Sequence, residues 1–262
     1  MGQRNRIGTS ADFRELAESF GSVAAEYDRA RPSYPQELFD GLERLAGRSL
    51  RGARVLDVGA GTGISTRLLA ARGADVVGVE PNEGMAAQFL ASGPGLALVK
   101  GSGDELPFHD RSADVITYAQ AFHWTRPERS VPEAVRVLRP GGALAAWWNV
   151  KDSGVAWVRA MGERLAAALP ESYHGYGAVN EIDSHLAPFG LRSGHVRLHW
   201  ERRVGVEHVI TDLVSRSYLA ALTPEKREPL LAVEREALLA EFPDGWVVEP
   251  YVLDLTVAIT PS

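Results

Sequence analysis

The run Val55-Leu56-Asp57-Val58-Gly59-Ala60-Gly61-Thr62-Gly63 ends a short apolar segment in three glycines spaced two apart. Without a Cβ, glycine lets a ligand approach the backbone of a strand-to-helix turn closely. A carboxylate, Glu80, follows 21 residues after Gly59, near the spacing of about 20 residues at which an acid grips ribose hydroxyls. A carboxylate suits a cis-diol because it accepts two hydrogen bonds at once. One glycine would signal only a tight turn. The whole run together with Glu80 points to a ligand that carries a nucleoside.

Two classes of nucleoside cofactor use such a turn. Dinucleotides call for G-x-G-x-x-G, with the diphosphate at the N-terminus of the following helix. Here the spacing is G-x-G-x-G, and Ile64 stands where the third dinucleotide glycine belongs. Asp57 would also oppose a diphosphate. S-adenosylmethionine has no phosphate and carries sulfonium and ammonium cations, which a nearby carboxylate favours. The pattern therefore favours S-adenosylmethionine, leaving S-adenosylhomocysteine as product. The competing readings are an NAD(P)-dependent oxidoreductase and a non-catalytic protein that keeps a cofactor-binding fold.

The elements that must position these residues alternate in type. Strands are predicted at Arg54–Val58, Asp75–Glu80, Leu96–Lys100, Ala113–Tyr118 and Leu144–Val150. Helices are predicted at Ile64–Arg72, Asn82–Ser92 with Asn82 as N-cap, and Arg129–Leu138. Alternation with short connections implies an α/β fold with a parallel sheet covered on both faces. Upstream, Ala11–Tyr27 and Pro35–Leu45 read as helical around the turn Arg31-Pro32-Ser33-Tyr34-Pro35. Downstream, Val155–Leu169, Glu181–Phe189, Val206–Leu222 and Pro224–Glu241 read as helices. His195–Val204 reads as a strand, and Trp246–Ile259 as a strand pair or hairpin-like edge. The division that follows is an N-terminal helical lid (1–48), a cofactor-binding core (49–150) and the remaining strands with a helical substrate-binding cap (151–262).

Composition narrows the function classes. The 262 residues include 28 Lys+Arg against 34 Asp+Glu, a formal net charge of -6, the opposite of a general nucleic-acid binder. There are no cysteines, which excludes disulfides, thiolate metal sites and a cysteine nucleophile. No apolar run of membrane-spanning length occurs, and the polar start of the chain lacks the apolar stretch of a signal peptide, so a cytoplasmic protein is expected. No convergent Asp/Asn cluster suggests a metal.

These residues resemble the class I S-adenosylmethionine-dependent methyltransferases, and within them the small-molecule domain usually labelled type 11. Val55–Gly63 is similar to the first motif of that family, and Val77-Gly78-Val79-Glu80-Pro81-Asn82-Glu83-Gly84-Met85 to the second. Gly101-Ser102-Gly103-Asp104-Glu105-Leu106-Pro107-Phe108 is similar to the adenine-contacting loop, although relatives often carry Gly-Asp-Ala in place of Gly101-Ser102-Gly103. Ala113–Trp124 resembles the fourth-strand motif, and Val137–Gly142 the turn into the fifth strand. Tyr27–Pro35 resembles the lid of a subgroup that includes relatives of trans-aconitate methyltransferase and many enzymes of secondary metabolism. The resemblance implies a Rossmann-like, doubly wound, seven-stranded sheet with its last strand antiparallel.

It also implies roles. Asp57 lies near the methionine ammonium, directly or through water; Gly59, Ala60 and Gly61 approach the cofactor by backbone; Glu80 takes the diol. Pro81, Asn82 and Met85 border adenine, with Gly103 and Asp104 facing it and Asp104 accepting from its amine. Ala119 and Gln120 sit at the C-terminal end of strand four, where such sheets place ligands. Tyr27 and Arg31 are lid candidates over the cofactor, and Tyr34 over the acceptor. His123 is a candidate general base or hydrogen-bond partner of the acceptor; otherwise it braces the turn at Trp124. Trp124, Tyr173, His174 and Tyr176 are further acceptor contacts. Trp147 and Trp148 adjoin on one strand and face opposite sides, so at least one is core. The expected reaction is in-line transfer of the sulfonium methyl to an O, N or C nucleophile of a small molecule, by a monomer or homodimer with no nucleic-acid or membrane partner.

Overall fold

The computed structural model describes residues 28–169 and 182–261. Helix α1 (Gln36–Ala46) is followed by β1 (Arg54–Val58), α2 (Ile64–Ala71), β2 (Asp75–Val79), α3 (Glu83–Ser92), β3 (Ala97–Val99) and β4 (Ala113–Ala119). Then come α4 (Pro127–Val137), β5 (Leu138–Lys151), α5 (Ala156–Ala168), α6 (Ile182–Leu186) and β6 (Arg192–Gly205). The chain continues with α7 (Val206–Val214), α8 (Ser217–Ala220), α9 (Pro224–Glu241) and β7 (Trp246–Ile259). The strands form one sheet in the order β3-β2-β1-β4-β5-β7-β6. Only β7 runs against its neighbours, β5 and β6. The direction of winding reverses between β1 and β4, and the C-terminal ends of those two strands are where a doubly wound sheet opens a ligand crevice.

The sheet is covered on both faces, which is why β1 is buried at four of its five positions rather than at alternate ones. Along β5, Ala143, Ala145 and Trp147 pack with Leu38, Phe39 and Leu42 of α1 on one face. Leu144, Ala146 and Trp148 pack with Val131, Ala134 and Val137 of α4 on the other. Both tryptophans are therefore core, one per face. Asn82 caps α3 as expected, its Oδ1 accepting from Met85 N–H at 2.9 Å.

Two expectations are corrected. The run Val206–Leu222 is not one helix: it breaks at Ser215-Arg216 into α7 and α8. The side chain of Ser215 turns back onto the carbonyl of Asp212 at 2.7 Å, the local alternative to continuing a helix that serine offers. Trp246–Ile259 is neither a strand pair nor an edge. It is a single strand inserted between β5 and β6, leaving β6 at the edge. Pro250 is tolerated there because it lies one residue beyond the last β5 partner pair, Lys151 with Tyr251. The late helices α5, α7, α8 and α9 bury their own cluster, including Met161, Leu165, Val209, Leu213 and Leu238, as a cap beside the sheet. Among the described residues, no helix is long and apolar enough to cross a membrane.

Candidate functional site

The glycine turn is pinned to the second strand. Gly59 and Ala60 both donate their N–H to the carbonyl of Val79, at 2.8 and 3.1 Å. Gly59 has a φ of 68°, and a Cβ there would stand 2.5 Å from that of Ala121, so the exits of β1 and β4 touch at this glycine. Gly61, with a φ of 56°, has open space where a Cβ would be and donates its N–H to Glu80 Oε2 at 2.8 Å. Glu80 Oε1 accepts from Asn82 N–H, also at 2.8 Å. Burial raises the pKa of Glu80, and the nearby Asp57 adds to this, while the two N–H donors oppose it. Each Glu80 oxygen keeps a second lone pair, the capacity a ribose diol needs. Met85 is buried at the first turn of α3, and Pro81 is exposed beside Glu80.

Asp57 is not at the surface of this crevice. It is fully buried, with Oδ2 accepting from Thr66 at 2.6 Å and Oδ1 from Thr117 at 2.7 Å. These bonds tie β1, α2 and β4 together beneath the turn. Burial outweighs the hydroxyl donors and lifts its pKa from 3.8 to about 6. An acid raised on folding stabilises most below its unfolded pKa, and that contribution disappears as pH climbs through the folded value. Asp57→Asn, which cannot ionise, is expected to gain stability relative to the wild type by about 2 kcal/mol as pH rises from about 4 to about 7. Urea titrations of both proteins across that range check the slope; parallel profiles would contradict it.

At the end of β4, Ala119 pairs with Trp147. Gln120 then adopts a left-handed φ of 56°, uncommon for a residue with a side chain. It is held there by its N–H to Trp147 O and its Nε2 to Asn149 O, both at 2.9 Å. Strain of this kind, held in place by hydrogen bonds, gathers at binding sites. The next residues form a short 3-10 turn, Phe122–Trp124. His123 is exposed, its ring centroid 4.8 Å from that of Trp124, and its Nδ1 accepts from Trp148 Nε1 at 3.3 Å. The protein packed around the ring lowers its pKa from 6.5 to about 4.

Asp104 is tied to the start of α4: its Oδ1 accepts from Arg126 N–H at 2.8 Å and its Oδ2 from Arg126 Nε at 2.7 Å. Gly103 packs tightly, since a Cβ there would lie 2.9 Å from Thr125 Cγ2 and 3.1 Å from Tyr118 Cε1.

The comparisons with known proteins agree with this geometry. A family model described as "Methyltransferase domain" matches residues 56–146. The protein named "Uncharacterized methyltransferase Rv3342", from Mycobacterium tuberculosis, is 37% identical over 230 residues, covering 88% of this chain and 89% of that protein. The chain belongs to the S-adenosylmethionine-dependent methyltransferases. Another relative, "Uncharacterized methyltransferase-like C25B8.10" of Schizosaccharomyces pombe, is 28% identical over 220 residues, with 82% of this chain and 84% of that protein covered. A solved chain from Anaeromyxobacter dehalogenans, provisionally described as a type II methyltransferase, superposes with a TM-score of 0.67 at 26% identity, covering 88% and 97% of the two chains. The dinucleotide reading falls away.

The methyltransferase has groups that suit its cofactor: open backbone at Gly61 and a carboxylate, Glu80, with lone pairs to spare. The lid candidates are described in part. Tyr27, Tyr173, His174 and Tyr176 lie outside the described residues. Arg31 turns to the cap, donating from Nη2 to Ser215 O at 3.2 Å, with Asp212 at 3.9 Å. Tyr34 meets Trp147 edge-on at 5.8 Å and packs beside the core. Sequence reasoning missed Asp28, which accepts from Thr62 Oγ1 at 2.7 Å, Arg67 Nη2 at 2.8 Å and Ser92 Oγ at 2.9 Å, fastening the start of the described chain to the glycine turn. Three charged neighbours in Asp28-Arg29-Ala30-Arg31 gave no hint of which would turn inward.

Proposed function

We propose that this methyltransferase moves the methyl group of S-adenosylmethionine, by in-line displacement, to an O, N or C nucleophile of a small molecule held between the β4 exit and the helical cap. The observation that carries the reading is the contact of the Gly59 turn with Ala121, which brings the cofactor loop within two residues of the exposed His123. Bound S-adenosylmethionine supplies an already activated methyl. Gly61 and Glu80 hold the ribose, Pro81, Asn82 and Met85 border the adenine, and Ala119 and Gln120 shape the floor beneath the transferred group. The protein's work is alignment and exclusion of water, a proximity effect that can be large.

Calorimetry with S-adenosylhomocysteine, followed by a screen of extracts for products heavier by one methylene, tests the reading. Binding without any such product across acceptor classes would favour a non-catalytic role. His123→Ala is expected to lower turnover about tenfold or more while leaving cofactor affinity nearly unchanged. Equal activity in the variant would reduce His123 to a brace for the Trp124 turn.

A further inference from the structure

We propose that Trp148 is a positioning residue that fixes His123 as a hydrogen-bond donor toward the methyl acceptor, and not as a base. This rests on reading the β4 exit as the acceptor side of the crevice. The 3.3 Å contact between Trp148 Nε1 and His123 Nδ1 has one chemical sense. An indole nitrogen carries a hydrogen and no available lone pair, so Nδ1 must accept. A neutral imidazole has one proton, which then resides on Nε2. The donor is itself immobile: Trp148 is buried in the core with Tyr118 and Phe122. The histidine backbone is held by the turn bonds Trp124 N–H to Ala121 O and Thr125 N–H to Phe122 O, both at 3.0 Å.

Protonating Nδ1 would break this bond and set two N–H groups against each other. No described carboxylate or cation hydrogen-bonds or ion-pairs with the ring to offset that cost. The Nε2–H is left on an exposed residue, ready for an incoming ligand. It matches an acceptor molecule that presents an oxygen lone pair, anionic or carbonyl, beside its nucleophilic atom. It does not match the O–H or N–H of a neutral nucleophile, whose proton leaves to water instead of to His123.

The tautomer is readable on the whole protein by long-range nitrogen–proton correlation of the imidazole rings. Among the seven histidines, the His123 signals are assigned by their loss in His123→Gln. At neutral pH the expected spectrum shows a pyrrole-like Nε2 and a pyridine-like Nδ1. In Trp148→Phe, which keeps ring bulk and removes the donor, the ratio of the Nε2–H to the Nδ1–H form falls about fivefold, the weight of one hydrogen bond. A predominant Nδ1–H form in the wild type, or the same ratio in both proteins, overturns the proposal. Should Trp148→Phe not fold, the wild-type spectrum decides. S-adenosylhomocysteine titration of the same wild-type sample keeps the two readings apart: absent binding would sink the methyl-transfer reading, whatever the tautomer.

Discussion

Glu249→Ala is expected to cost about 3–5 kcal/mol of folding stability, the range for removing one partner of a buried ion pair. Glu249 and Lys151 are both fully enclosed and in direct contact. Glu249 Oε2 also accepts from Arg202 Nε at 2.6 Å and from Tyr251 OH at 3.0 Å. Burial pushes the pKa of this acid up, yet the Lys151 and Arg202 cations hold it below its ordinary value. Without the carboxylate, Lys151 keeps the ring faces of Trp157 and Tyr251, at 5.7 and 5.9 Å, and the longer-range attraction of the buried Asp212 against the desolvation of an ammonium. Urea unfolding measures the loss. A change too small to resolve would show that the ammonium reaches water. The Arg197–Asp254 pair joins β6 to β7 with a bond of 2.6 Å, but Arg197 is exposed, and its removal is expected to leave the unfolding midpoint almost unchanged.

Glu80→Ala carries the largest expected effect on the cofactor. Loss of the diol contact weakens S-adenosylhomocysteine binding by about 1–3 kcal/mol, roughly 5- to 150-fold. The structure adds a second cause. The same carboxylate organises the turn by accepting from Gly61 and Asn82, so its removal also leaves two backbone N–H groups without their acceptor. Glu80→Gln retains one carbonyl oxygen and should fall between the wild type and the alanine variant. Calorimetry at fixed pH distinguishes them, and an unaltered dissociation constant in Glu80→Ala would remove Glu80 from the ribose site.

Much of the fold was legible because it follows from repeated local rules. The apolar strands and the α1–α4 helices appear within a few residues of their expected places. The glycine turn and Glu80 come together because both are anchored at the ends of adjacent strands, β1 and β2. Errors arose where the outcome depended on partners distant in sequence. Trp246–Ile259 reads locally like an edge, and only its insertion between β5 and β6 covers both of its sides. Likewise, no local signal showed that Arg126 closes on Asp104 from 22 residues away. Lys151 drew no notice at all: a lysine at the end of a strand is ordinarily solvated, and the carboxylate that draws it inward lies 98 residues later.

By itself, the sequence determined the kind of turn, the acid that faces it and the alternation that builds a parallel sheet, since backbone conformation and side-chain period are local properties. Which charges face the crevice was decided only by the tertiary structure. Asp57 and Glu80 are both acids at strand ends, yet Thr66 and Thr117 enclose the first while the second remains beside the open turn. A carboxylate's role depends on which donors reach it and how much water is excluded, and both are settled when distant segments pack together.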